Sequence, residues 1–128
     1  MTPADALRHY FGHSSFRGGQ EAAINAILNG HSTLALFPTG AGKSLTYQLP
    51  ALLLPGTTVV VSPLIALMKD QVGALRAKGI AAAQLDSTLT PDARRQTEDD
   101  FSSGRLKLLY VAPERFASDA FRRRLIST

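Results

Sequence analysis

The sequence has no cysteine, no tryptophan, only three histidines and no apolar run long enough to cross a bilayer. Lacking cysteine, it can form neither disulfides nor thiolate metal sites, and His9, His13 and His31 show no metal-ligand spacing, which sets transition-metal chemistry aside. A spanning helix needs about 20 consecutive apolar residues, and the opening "MTPADALRHYFGHSS" lacks the apolar centre of a secretory leader. The chain is therefore expected inside the cell, in the cytoplasm, with no membrane partner. What remains is 128 residues, 45% hydrophobic and 19% charged, enough for one domain with a single sheet and its helices. A formal charge of +4 leans toward a polyanionic partner such as nucleic acid, a weak signal by itself.

Along the chain, helical and strand patterns alternate. "TPADALRHYFG" reads as a helix with Thr2 as cap, Pro3 in the first turn and Gly12 as stop. A second helix, "GGQEAAINAILNG", carries Ala23, Ile24, Ile27 and Leu28 at helical spacing and ends at Gly30. "STLALF" is the first strand. It leads through "FPTGAGKS" into a helix that begins near Lys43 and is kinked or broken at Pro50. "TTVVVS" alternates little and predicts a strand buried on both faces. Ser62 can cap the next helix, with Pro63 in its first turn, a buried stripe of Leu64, Leu67, Met68, Val72 and Leu75, and Gly79 at its end. "IAAAQL" is a weaker strand, "TPDARRQTEDDF" a helix closed by Gly104, "RLKLLYV" the fourth strand, and "ERFASDAFRRRLIST" a last helix. The short charge runs at Glu98 to Asp100 and Arg122 to Arg124 read as solvated helix faces. This alternation predicts an α/β fold in three layers, with a parallel sheet and its ligands at the carboxyl ends of the strands.

The stretch "FPTGAGKS" carries the chemistry. A triphosphate needs many N–H donors converging at close range, which only backbone free of side-chain obstruction supplies, and Gly40 and Gly42 give that freedom. The amides of Gly40, Ala41, Gly42, Lys43 and Ser44 can point inward at a helix start, where the helix dipole also favours phosphate. In the roles such a loop assigns, Lys43 contacts the β and γ phosphates, and the Ser44 hydroxyl is the ligand for Mg²⁺. An ordinary glycine turn is the plainer alternative, but "TGAGKS" between a strand and a helix favours phosphate. Phe37 stands where this motif usually has glycine, a position that shapes the turn rather than touching phosphate.

With Pro38 and Thr39 included, the loop resembles the T-G-x-G-K-[ST] form of superfamily 2 helicases and translocases. The segments "FGHSSFRGGQEAAI", "PTGAGKSLTYQLPALL", "VVVSPLIALMKDQV", "LDSTLT" and "LLYVAPERF" follow in the order and approximate spacing of the RecQ family of ATP-dependent DNA helicases. The resemblance covers nearly the whole chain, and "SPLIALMKDQV" is its most specific element. It implies an incomplete RecA-like lobe with a phosphate loop, ATP and Mg²⁺ as cofactors, and single-stranded and partly duplex DNA as partner.

By the same resemblance the nucleotide site takes in His13, Arg17, Gln20 and the loop from Thr39 to Ser44, with Lys43 and Ser44 nearest the chemistry. Gln20 reads the adenine edge; His13 either stacks on the base or is a turn residue. Gly18 stands where the family usually has proline, so a less rigid loop is expected. The strand-tracking residues are Ser62, Lys69, Gln71, Ser87, Thr88 and Pro113, contacts that carry little sequence information. Helix capping is an equal reading for Ser62, and Glu114 is expected to orient its loop or pair with Arg115.

The resemblance implies an enzyme that couples ATP hydrolysis to three-prime to five-prime unwinding in recombination and repair, associated with the nucleoid in a bacterium. Residues 1–128 then read as part of the first helicase lobe. The Asp-Glu-x-His motif and the second lobe that complete hydrolysis and stepping are not among them. By itself this chain is therefore expected to be inactive. A stand-alone nucleotide or single-stranded DNA binding module without turnover is the alternative, and another phosphate-loop translocase or kinase is a third. No feature of the sequence sets an oligomeric state.

Overall fold

The computed structural model of the chain describes residues 1–29 and 44–127. The expected strand "STLALF", the stop at Gly30 and the phosphate loop up to Lys43 lie outside these residues. The chain divides into two compact units, 1–55 and 56–128.

In the first unit, α1 (Pro3–Phe11) is set by local chemistry at both ends. The Thr2 hydroxyl accepts from the Asp5 N–H while the Asp5 carboxylate accepts from the Thr2 N–H, each at 3.2 Å. This capping box satisfies two donors that the first turn leaves without helical partners. Gly12 closes the helix in the left-handed region at φ 70, which glycine adopts without steric cost. Two further helices follow, α2 (Gln20–Leu28) and α3 (Leu45–Leu53), and α3 packs against both α1 and α2. Their shared core joins Leu7, Ile24 and Leu49, all fully buried, with Tyr10, Phe16 and Leu53 around them. Each such side chain contributes about 1.5–3 kcal/mol by leaving water. The sequence predicts a kink or break at Pro50; α3 does not break there and runs on to Leu53. Pro50 is fully buried and its carbonyl accepts from the Leu54 N–H at 2.9 Å, so packing and the following turn carry the helix past the missing donor.

The second unit holds a three-stranded parallel sheet in the order β1 (Thr58–Val61), β3 (Leu108–Val111), β2 (Ala82–Leu85). In register, Val61 and Leu85 both stand beside Val111. The chain passes from β1 through α4 (Ile65–Ala77) to β2, then back through α5 (Pro91–Ser102) to β3. The two crossovers run in opposite directions along the sheet, so right-handed connections place α4 and α5 on opposite faces. One face packs Ala83, Leu85, Leu109 and Val111 against Phe101 of α5 and Phe121 of α6 (Asp119–Ser127). Central β3 is buried at all four residues.

Local readings need correction in this unit. β1 is only half-buried and Val61 is 54% exposed, because among the described residues the strand has a neighbour on one side alone. Helix α4 starts at Ile65, after the Ser62–Pro63 step; the Ser62 hydroxyl accepts from the Leu64 N–H at 3.2 Å in a local turn and is not the helix cap. Of its predicted stripe only Met68, Val72 and Leu75 are buried, whereas Leu64 and Leu67 are exposed. The tail is two elements, a 3₁₀ turn (Pro113–Ala117) and α6, divided at Ser118, whose hydroxyl accepts from the Phe121 N–H. Within the "EDD" run Glu98 faces inward: it pairs with Arg115 at 3.4 Å, the two side chains being 14% and 17% exposed. Arg115 therefore answers Glu98 on α5, which bears on the pairing expected of Glu114 with Arg115 and leaves its loop-orienting reading as it stands.

Candidate functional site

Loops leaving the carboxyl ends of adjacent parallel strands are brought together by the sheet itself, since neighbouring strands lie about 4.8 Å apart. Here the ends of β1, β3 and β2 are tied crosswise: the Ser62 N–H donates to Val111 O at 3.1 Å, and the Ala112 N–H donates to Leu85 O at 2.9 Å. Ser62, Ser87, Thr88 and Pro113 thus share one edge of the sheet. The first is half-buried and the other three are exposed.

The loop after β2 has an organiser that the sequence reading passes over. Asp86 is 3% exposed and its carboxylate accepts from the Thr88 N–H at 2.8 Å, from the Thr88 hydroxyl, and from Gln84 Nε2 at 2.7 Å. Burial pushes the Asp86 carboxyl up, but the hydrogen bonds from Thr88 and Gln84 outweigh it and hold it below the usual range of 3.8. The signal available in the sequence was the Asx-turn pattern of "LDST", in which an aspartate engages backbone two residues on.

Lys69 lies on α4 and, with Thr88, lines a groove of about 540 Å³ beside β2. Val72, Gly73 and Arg76 continue the α4 wall, Gln84 comes from β2, and Leu89, Ala93 and Thr97 form the far wall. Helices from opposite faces of the sheet can share a groove only at its edge. Arg76 Nε donates to Ala82 O at 2.8 Å and so covers a backbone acceptor of β2. Gln71, two residues from Lys69, faces another direction on α4 and is half-buried.

In the first unit, His13, Arg17 and Gln20 share the connection between α1 and α2, with His13 and Arg17 exposed. Gln20 is 4% exposed and its Oε1 accepts from the Arg17 N–H at 2.9 Å, closing a turn in front of α2. Gly18 sits in that turn at φ 49, which proline, fixed near −65, cannot adopt. Ser44 stands at the start of α3, its carbonyl accepting from the Gln48 N–H at 3.0 Å. Thr39, Gly40, Ala41, Gly42 and Lys43 lie outside the described residues. Among the described residues no three His, Asp or Glu side chains converge as a metal site, and no helix is long and apolar enough to cross a membrane.

Comparison with known proteins fits this arrangement. The chain is 51% identical over 120 residues to the ATP-dependent DNA helicase RecQ of Haemophilus influenzae, a match covering 94% of this chain and 19% of that protein. It is 47% identical over 116 residues to the RecQ helicase of Bacillus subtilis, covering 90% and 20% respectively. With the ATP-dependent helicase SGS1 of Saccharomyces cerevisiae the identity is 45% over 125 residues, covering 94% of this chain and 9% of that protein. The chain thus spans about a fifth of the length of these bacterial relatives. Its fold matches that of the DUF1998 helicase MrfA, in a crystal structure with DNA and AMPPNP, at a TM-score of 0.78 and 20% identity, over 99% of this chain and 19% of that one. The DEAD/DEAH box helicase family matches residues 17–127, from the turn that Gln20 closes to the last residue of α6, and the chain belongs to that family.

Proposed function

We propose that this chain supplies the nucleotide-holding part and some of the strand-tracking surface of an ATP-dependent DNA helicase that unwinds DNA three-prime to five-prime in recombination and repair. The observation that carries the reading is the joint placement of Ser62, Thr88 and Pro113 at the carboxyl edge of one parallel sheet, in a chain whose sequence holds "PTGAGKS" ahead of α3. In this reading the amides from Gly40 to Ser44 hold the phosphates, Lys43 neutralises the β and γ groups, and Thr39 shapes the loop. The Ser44 hydroxyl at the head of α3 is the proposed Mg²⁺ ligand. His13, Arg17 and Gln20 flank the base, with the Gln20–Arg17 turn fixing their spacing. Bound Mg–ATP would supply the reacting phosphoryl group.

On the DNA side, Ser62, Ser87, Thr88 and Pro113 offer hydroxyls and backbone at the sheet edge, and Lys69 and Gln71 offer side chains from α4. Such groups hold a sugar-phosphate chain without reading bases. The sequence contains no Asp-Glu-x-His run to place metal and water for hydrolysis, so this chain alone is proposed to bind without turnover. ATPase assays with and without single-stranded DNA test this. Weak, salt-sensitive DNA binding with no turnover is expected; DNA-stimulated turnover by the 128 residues would show that the division of labour is wrong.

A further inference from the structure

We propose that the groove beside β2 is an additional subsite for a single nucleic-acid strand, carrying it from the sheet edge down the flank of the second unit with Lys69 and Arg76 as its phosphate contacts. The inference rests on the strand-tracking reading and extends it to Arg76, Gly73, Gln84 and Thr97, to which that reading assigns nothing.

Three features fit a nucleic-acid strand. Lys69 and Arg76 are seven residues apart on α4 and both line the groove. Seven residues of helix rise about 10 Å, the length of about three steps of a stacked strand at 3.4 Å each. Two cations at that interval match a repeating anion better than a single phosphate. The groove is also part apolar, with Val72 and Leu89 among its lining, and its volume of about 540 Å³ far exceeds what an inorganic ion needs. A sugar-phosphate chain with bases has this mixed character, and the apolar side chains give its bases a surface to lie on.

Gly73 supplies a separate observation. It lies in the middle of α4 in ordinary helical geometry, where glycine costs about 1 kcal/mol relative to alanine. A Cβ added there meets nothing within 4 Å, so the protein's own packing does not require the missing side chain. Gly73 thus marks a position on the groove wall, between the two cations, where a Cβ can be added without meeting the protein's own atoms.

The Asp86 carboxylate, bonded to two groove-lining residues, is engaged by Thr88 and Gln84. Gln84 keeps its second amide N–H for a ligand, and Arg76 spends one of its five N–H groups on Ala82 O.

The test is fluorescence anisotropy of a labelled oligothymidine on the full chain across a salt series, with circular dichroism checking the fold. Arg76→Gln is expected to lower the slope of log affinity against log salt by about 0.7, the loss of one phosphate contact on a single strand. Gly73→Glu, whose Cβ meets nothing within 4 Å and whose carboxylate comes between the cations, is expected to weaken binding several-fold, whereas Gly73→Ala leaves it unchanged. Mononucleotide competes poorly if the site takes a strand; displacement of the oligomer by mononucleotide at equal phosphate concentration would overturn the strand assignment. If Lys69→Gln weakens binding while Arg76→Gln and Gly73→Glu do not, the strand-tracking reading stands and the groove proposal falls. If the parent chain shows no salt-dependent binding, both fall.

Discussion

Replacing Asp86 with alanine removes the acceptor of three hydrogen bonds, two of them at 2.8 and 2.7 Å. A hydrogen bond to a charged group contributes about 1.5–3 kcal/mol, so simple addition gives about 5–9 kcal/mol. That sum overshoots. The buried carboxylate also carries a desolvation cost that the substitution relieves, and the donors on exposed Thr88 regain water. We expect a net loss of about 1–2 kcal/mol for Asp86→Ala. Asp86→Asn is expected to lose less, because its Oδ1 can still accept from both Thr88 donors. The pH dependence has a definite sign. Hydrogen bonding holds the folded-state pKa below the unfolded value near 3.8, so the stabilisation is complete above 3.8 and is lost as pH falls through the lower folded value. Asp5 is lowered as well, by its bonds with Thr2 and Arg8, so the difference between Asp86→Asn and parent is what isolates the Asp86 contribution. Urea denaturation followed by circular dichroism, with amide exchange of the β3 residues, reads both effects. An Asp86→Ala protein within about 0.5 kcal/mol of the parent, or an Asp86→Asn acid profile that superimposes on it, would refute the role given to this carboxylate.

Two further substitutions test conformations set by the fold. Gly18→Pro forces a residue at φ 49 to about −65, and is expected to destabilise the first unit by about 1–3 kcal/mol in thermal melts; a melt at the parent temperature contradicts the turn described. Met68→Ala is expected to cost about 2–5 kcal/mol and the neighbouring Leu67→Ala no more than about 0.5, since the first is 1% exposed and the second 46%. Equal losses in urea titrations would put the buried face of α4 elsewhere.

Features written in a few consecutive residues were legible before the structure. Thr2 as the cap of α1 and the left-handed stops at Gly12, Gly79 and Gly104 all follow from local backbone chemistry. The alternation of strands and helices likewise placed the loops of Ser62 and Pro113 at one sheet edge. Tertiary features were not legible. Exposure of Val61 depends on which strands flank β1, and the Glu98–Arg115 pair joins residues 17 apart across two elements. Leu64 and Leu67 sit at helical spacing with Met68, yet only the fold decides how wide the buried stripe of α4 is. Asp86 was passed over because an aspartate in a turn is ordinary in sequence, and only its burial with three donors marks it out. The groove needed α4, β2 and α5 to assemble, so Lys69 and Thr88 could be singled out while Arg76 and Gly73 could not.

The central claim is that Gly40 to Ser44 hold a Mg–nucleotide, and calorimetric titration of Mg–ATP into the parent chain and Lys43→Ala tests it most directly. We expect binding by the parent and loss of most of that affinity in Lys43→Ala, with unchanged circular dichroism. Equal binding by the two proteins, or none by a folded parent, would contradict it.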